Sequence, residues 1–159
     1  MIQVGEHLPQ ATFRVIGPEG PMARTTDDVF KGRRIVLIGV PGAFTPSCHR
    51  NHLPGFVEKR GEIQARGIDA VAVTSVNDVF VLDAWSKASG AEGIEFLADG
   101  NADFARAVGL DLDGSGFGLG TRSKRYAMLV DDGVVRILNV EESPTKAEVS
   151  GAEAMLKVI

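Results

Sequence analysis

The only cysteine, Cys48, follows a strand-length apolar run and a proline-rich turn, and this junction constrains the fold more than any other stretch. Ile35-Val36-Leu37-Ile38 is continuously apolar, as a strand buried on both faces requires, and Gly39 ends it. Pro41-Gly42 then turns the chain. Thr45 reads as a helix N-cap and Pro46 as the first helical residue, where a missing amide costs nothing, so Cys48 falls in the first turn. There, unpaired N–H groups and the positive end of the helix dipole face the sulfur, a setting that favours the nucleophilic thiolate. A lone cysteine is elsewhere often a small buried hydrophobe. The Pro/Thr/Pro surround argues against that reading here.

The rest of the chain alternates strand and helix patterns. Gln10 to Thr26, broken by Gly17-Pro18-Glu19-Gly20, predicts two short strands or a hairpin, and Thr26 to Phe30 a brief capped helical turn. Leu53-Pro54 interrupts the helix that holds Cys48, so a kink or restart is expected there, with helix resuming from Gly55 to Ala65. Ala70 to Thr74 reads as a second buried strand, and Ser75-Val76-Asn77-Asp78 as the cap of a helix running through Val81 and Trp85. Ile94 to Ala98 reads as a strand, Ala102 to Val108 as a short helix, and Ala127–Val130 with Val134–Leu138 as a hairpin turned by Asp131-Asp132-Gly133. Ser150 to Val158 is a closing helix, and the glycine-rich span Gly114 to Gly120 is expected to be a mobile loop. Alternating units with a late antiparallel hairpin imply an α/β domain with a mixed sheet between helices.

At 159 residues, 44% apolar and 24% charged, the chain suits a single domain spanning 1–159 with a proper core. A net charge of −4, with no cluster of Lys and Arg, argues against a nucleic-acid surface. No apolar run approaches the roughly 20 residues that span a bilayer, and the first residues lack the pattern of a signal peptide. The expectation is a cytoplasmic protein with neither membrane nor nucleic-acid partners. One cysteine cannot form an intramolecular disulfide, so a second thiol must come from elsewhere.

Gly39-Val40-Pro41-Gly42-Ala43-Phe44-Thr45-Pro46-Ser47-Cys48, followed by His52-Leu53-Pro54-Gly55-Phe56, resembles the active-site signature of peroxiredoxins, in particular the type II or peroxiredoxin five-like subfamily. The similarity continues through Ser75-Val76-Asn77-Asp78, Leu97-Ala98-Asp99 and Lys124-Arg125-Tyr126 and so covers nearly the whole chain. The resemblance implies a thioredoxin-like fold carrying an N-terminal hairpin extension. It implies Cys48 as the peroxidatic cysteine, Thr45 as a hydroxyl donor, Pro41 as a shield against water and Arg125 as a second donor. Sequence alone does not separate Arg125 from Arg122. Gly42, Phe44 and His52 are expected around the peroxide, with His52 at i+4 from Cys48 and placed to orient backbone or substrate. His49 stands where the family commonly has a small residue such as serine. Some members carry a resolving cysteine at the position matching Val73 or near the C-terminus, and this chain has neither.

A thiolate attacking a peroxide needs its charge stabilised and the leaving oxygen supplied with a proton, hence the demand for hydrogen-bond donors around Cys48. The expected cycle runs through a Cys48 sulfenic acid, reduced by an external thiol from glutathione with glutaredoxin, or from thioredoxin. A redox sensor oxidised stoichiometrically at Cys48 is the alternative, separable from a peroxidase by turnover. His7, His49 and His52 suggest a metal site only weakly, because structural zinc sites usually bring paired cysteines; neither metal nor cofactor is expected. Phe44, Phe80 and Trp85 are candidates for core or for an association surface, and the resemblance implies a homodimer that buries Phe44.

Overall fold

The computed structural model describes residues 1–159. A hairpin of β1 (Thr12–Gly17) and β2 (Gly20–Thr25) leads through α1 (Thr26–Phe30) into β3 (Arg34–Val40), and α2 (Leu53–Gln64) follows. Then come β4 (Ala70–Ser75), α3 (Val79–Ala88), β5 (Glu95–Ala98), α4 (Asp103–Ala107), the short β6 (Asp111–Asp113) and β7 (Thr121–Ser123), β8 (Tyr126–Asp131), β9 (Val134–Val140) and α5 (Ala152–Leu156). Seven strands form one mixed sheet in the order β2-β1-β5-β4-β3-β8-β9. β3, β4 and β5 run parallel, while β8 lies antiparallel to β3 and pairs with β9. The fold is thioredoxin-like, and the hairpin extension joins the sheet because β1 pairs with β5 at Arg14 and Ala98.

The central strands are apolar on both faces because both are covered. Val36, Ile38 and Val40 of β3 pack with Cys48, Phe56, Trp85 and Met155 on one side. Ile35 and Leu37 pack with Phe13, Phe30 and Phe104 on the other. The same alternation in β8 sends Tyr126 to the second face. Arg125, one residue earlier, is thereby directed to the face that holds Cys48, as successive side chains on extended backbone require. Gly39 sits opposite Tyr126, and a Cβ there would come within 2.1 Å of the tyrosine ring. A side chain at residue 39 would displace the very strand end that sets Arg125.

Three expectations change. Helix begins at Pro46 and does not restart after Pro54; it widens instead into a π turn at Cys48–His52, where the Leu53 N–H reaches back to the Cys48 carbonyl. Pro54 cannot donate to the preceding turn, and one extra residue in that turn absorbs the mismatch. The Gly114–Gly120 span is closed rather than open: β6 pairs with β7, and the Gly114 N–H donates to the Gly120 carbonyl at 2.7 Å around a 3₁₀ turn at Ser115–Phe117. The closing helix is only Ala152–Leu156, because Ser150 is engaged elsewhere and Gly151 is the cap. No helix is long and apolar enough to cross a membrane.

Candidate active site

Cys48 lies in the first helical turn beyond β3, wholly buried. The turn before it is braced from β4 and its following loop: the Ala43 N–H donates to Asn77 Oδ1 at 2.9 Å, and Ser75 Oγ donates to the same oxygen at 2.6 Å. Pro41 and Gly42 are buried. A Cβ on Gly42 would lie 3.0 Å from Arg122 Nη1 and 3.1 Å from Thr45 Cγ2, so the glycine leaves room for both side chains.

The sulfur's strongest neighbour is Arg125, whose Nη2 donates to Cys48 Sγ at 2.9 Å. Its Nε donates to the Pro144 carbonyl and its Nη1 to His52 Nδ1, both at 3.0 Å. Arg125 is 2% exposed and meets no carboxylate within ion-pair distance. A buried guanidinium without a counter-ion is costly. The one partner able to carry negative charge is the Cys48 sulfur, which accepts from Arg125 Nη2. Of five N–H donors three are used, which leaves one on each terminal nitrogen.

His52 explains the guanidinium's orientation. Its Nε2 lies 2.9 Å from the Ser150 carbonyl and so carries the hydrogen, leaving Nδ1 to accept from Arg125. Burial pushes this imidazole down to about 4, the Arg125 charge adding to the effect and the bond to the Ser150 carbonyl opposing it. His52 is therefore neutral at neutral pH, as an acceptor for an arginine must be. It was expected to line the peroxide pocket; it is 1% exposed and packed edge-on against Phe56 instead, so its contact is with Arg125.

Thr45 also departs from expectation. Its carbonyl accepts from the His49 N–H at 2.8 Å, which makes it the backbone cap, but its hydroxyl donates to the Gly42 carbonyl at 2.6 Å and makes no bond to an amide of the first turn. With its hydrogen thus committed, Oγ1 is left as an acceptor. Arg122 makes no hydrogen bond to the sulfur: its Nε donates to the Leu119 carbonyl at 2.9 Å and its Nη1 lies 3.4 Å from the Val76 carbonyl. Of the two arginines, Arg125 is the one hydrogen-bonded to the sulfur.

On the opposite side of the same turn, His49 Nδ1 accepts from the buried Trp85 Nε1–H at 3.1 Å. Phe44 stacks at 5.7 Å from the His49 ring and 6.5 Å from Trp85. It is 48% exposed and sits at φ 63°, a left-handed backbone that a bulky residue rarely adopts. Trp85 belongs to the core, whereas Phe80 is 66% exposed.

Sequence alone does not announce Pro144 and Ser150, which act through backbone carbonyls and so leave no trace in residue type, nor Glu141, whose carboxylate accepts from Ser150. The faint signal was a pair of acidic residues directly after an apolar strand.

A thioredoxin-like sheet presenting a buried cysteine at a helix start, with a carboxylate-free arginine on its sulfur, defines a thiol-based redox enzyme. The redoxin family model matches residues 3–156. The chain is 47% identical over 164 residues to the chloroplastic peroxiredoxin-2E-2 of Oryza sativa subsp. japonica, covering 99% of this chain and 72% of that protein. The crystal structure of reduced Prx3 from Vibrio vulnificus in complex with hydrogen peroxide superposes with a TM-score of 0.94 at 48% identity, covering 99% of this chain and 98% of that one. Peroxiredoxin 5 from Alvinella pompejana gives 0.87 at 34%, covering 99% and 97%. The chain belongs to the redoxin family as a one-cysteine peroxiredoxin of the type II, peroxiredoxin 5-like kind. It is a thiol-dependent peroxidase, taking peroxides as oxidant and thiols as reductant.

Proposed function

We propose that the Cys48 thiolate attacks the terminal oxygen of hydrogen peroxide or an alkyl hydroperoxide. The S–O bond forms as the O–O bond breaks, giving Cys48 sulfenic acid and a leaving hydroxide or alkoxide that takes up one proton to become water or alcohol. The observation that carries this is the 2.9 Å contact from Arg125 Nη2 to Cys48 Sγ in a guanidinium with two N–H groups to spare. Those groups face charge that grows on the departing oxygen, the placement by which a preorganised donor lowers a barrier. Thr45 Oγ1 accepts from the peroxide O–H and so fixes which oxygen meets the sulfur, a role in keeping with its bond to Gly42. Pro41 and Gly42 exclude water. Hydrogen peroxide as a substrate is supported by the Vibrio vulnificus relative crystallised with it.

The sulfenic acid is then reduced in two exchange steps, first to a mixed disulfide with an external thiol and then, by a second thiol, back to Cys48. Because Cys48 is fully buried, the Cys48–His52 turn has to open to admit that thiol. The external thiol is supplied by glutathione with glutaredoxin or by thioredoxin. The cytoplasm, a compartment rich in such thiols, is the proposed setting. Peroxide loss followed with each reductant in turn tests this: many turnovers support the cycle, and a halt after one equivalent with both would favour the redox-sensor reading.

A homodimer is also proposed. Phe44 is strained and half exposed, with Phe80 exposed on the neighbouring α3, which suits an isologous contact beside the site. Sedimentation of the reduced protein at micromolar concentration is expected to give a dimer.

A further inference from the structure

The segment Glu141–Gly151, which follows β9, is held against the active site by bonds that converge on Arg125. β8 and β9, beyond a bulge between Leu129 and Val130, remain paired as far as Tyr126 and Val140, and the Glu141 N–H donates to the Arg125 carbonyl at 3.0 Å. The chain then passes Pro144, whose carbonyl takes Arg125 Nε, and Thr145, whose carbonyl takes Ser47 Oγ at 2.8 Å. It returns at Ser150, whose carbonyl takes His52 Nε2–H. Glu141 closes this loop on itself: one carboxylate oxygen, Oε2, accepts from both the Ser150 N–H at 2.7 Å and the Ser150 hydroxyl at 2.5 Å. Glu141 is 9% exposed and has no Lys, Arg or His within ion-pair distance. A carboxylate that is nearly buried and unpaired carries a desolvation cost, which these two short bonds offset.

We propose that Glu141 is a positioning residue for peroxide attack, acting through Ser150 and His52 on the Arg125 guanidinium. Pinning the Ser150 amide and hydroxyl fixes the direction of its carbonyl. That carbonyl selects the Nε2–H tautomer of His52, and the free Nδ1 lone pair then holds Arg125 Nη1. With Nε held by Pro144, the plane of the fork is set, so that Nη2 meets the sulfur while the spare N–H groups face the peroxide. A carboxylate three links away thus governs a donor in contact with the reacting atoms. The inference rests on the reading that Arg125 assists peroxide attack at Cys48.

The test compares reduced native protein with Glu141→Ala, Glu141→Gln and Arg125→Ala. Each is reacted in single turnover with hydrogen peroxide and separately with iodoacetamide, and rates are taken from the alkaline plateau of each pH profile. Alkylation needs the thiolate and access through an opened Cys48–His52 turn but no placed guanidinium, whereas peroxide also needs the guanidinium in place. Glu141→Ala is expected to lose on the order of 10- to 100-fold with peroxide, the scale of a remote misplacement, and under about threefold with iodoacetamide. Glu141→Gln, which retains an acceptor oxygen, is expected to restore most of the peroxide rate. Native peroxide reactivity in Glu141→Ala would overturn the proposal, as would parallel loss with both reagents or an equal loss in Glu141→Gln. Where Glu141→Ala does not fold, Ser150→Ala carries the test: it is expected to lose about fivefold with peroxide alone, the worth of one hydrogen bond, and an unchanged rate would overturn the idea. Arg125→Ala reacting at the native rate would instead defeat the underlying assignment, which separates the two failures.

Discussion

His49 and His52 share one helical turn yet face different halves of the molecule. His52 points to the segment after β9, is neutral by burial, and ends in a guanidinium on the sulfur. His49 points to α3, accepts from Trp85 and stacks near the half-exposed Phe44. The residue type is the same, but one contact reaches the chemistry and the other reaches the core. A histidine's role here follows from which groups its ring nitrogens bind, and proximity in sequence to Cys48 says little about it.

The comparison can be broken most severely at His52. His52→Leu leaves Arg125 Nη1 and the Ser150 carbonyl without partners in a buried site, so peroxide reactivity is expected to fall about 30-fold or more, with about 2–3 kcal/mol lost from stability. Stopped-flow oxidation and urea unfolding measure the two; a native rate would remove His52 from the account.

A smaller effect follows from acid. The unfolded histidine titrates near 6.5 and the buried one near 4, so between those values the unfolded chain binds a proton that the native chain does not. The stability held above pH 6.5 is therefore lost as pH falls toward 4, by about 3 kcal/mol for a shift of this size, and the loss flattens below. Arg33 and Arg24 hold the Glu95 carboxyl below its usual range despite the opposing effect of burial, and this adds acid loss of its own at lower pH, so His52→Leu is the control. Unfolding free energies across pH 4–7 should show a window present in the native protein and absent in the variant. Equal pH slopes would contradict a buried neutral imidazole.

The smallest effect sharpens the contrast. His49→Ser leaves the Trp85 Nε1–H unpartnered and is expected to cost about 1–2 kcal/mol in stability while changing the peroxide rate by less than about threefold. Trp85 is the sole tryptophan, so its fluorescence reports the lost bond directly. A rate loss rivalling that of His52→Leu would erase the distinction between the two faces.

Much of the fold was legible because it rests on local rules. The apolar runs at β3, β4 and β8 mark strands covered on both sides, Asp78 caps α3 by accepting from the Val81 N–H, and Asp132-Gly133, both at positive φ, turn the β8–β9 hairpin. Cys48 was legible from its place at a helix start and Arg125 as a candidate through resemblance, and the register of Tyr126 explains how Arg125 comes to meet the sulfur. The π turn was not legible, since Pro54 announces a disturbed helix without saying whether it bends or widens. Nor was the holding of Arg125, which uses the carbonyls of Pro144 and Ser150, groups that every residue possesses. The Thr45 hydroxyl was misread for a related reason: its choice between the Gly42 carbonyl and a helix amide is set by the turn's geometry, and residue type does not reveal it.

The central claim is that the guanidinium of Arg125, and not that of Arg122, serves the Cys48 sulfur. Its most direct test is the single-turnover rate of reduced native, Arg125→Ala and Arg122→Ala proteins with hydrogen peroxide, with Cys48→Ser as the zero. The account predicts a loss of roughly 10² to 10³ in Arg125→Ala, the worth of one preorganised donor, and a rate within about threefold of native in Arg122→Ala. Equal losses in both, or a native rate in Arg125→Ala, would contradict it.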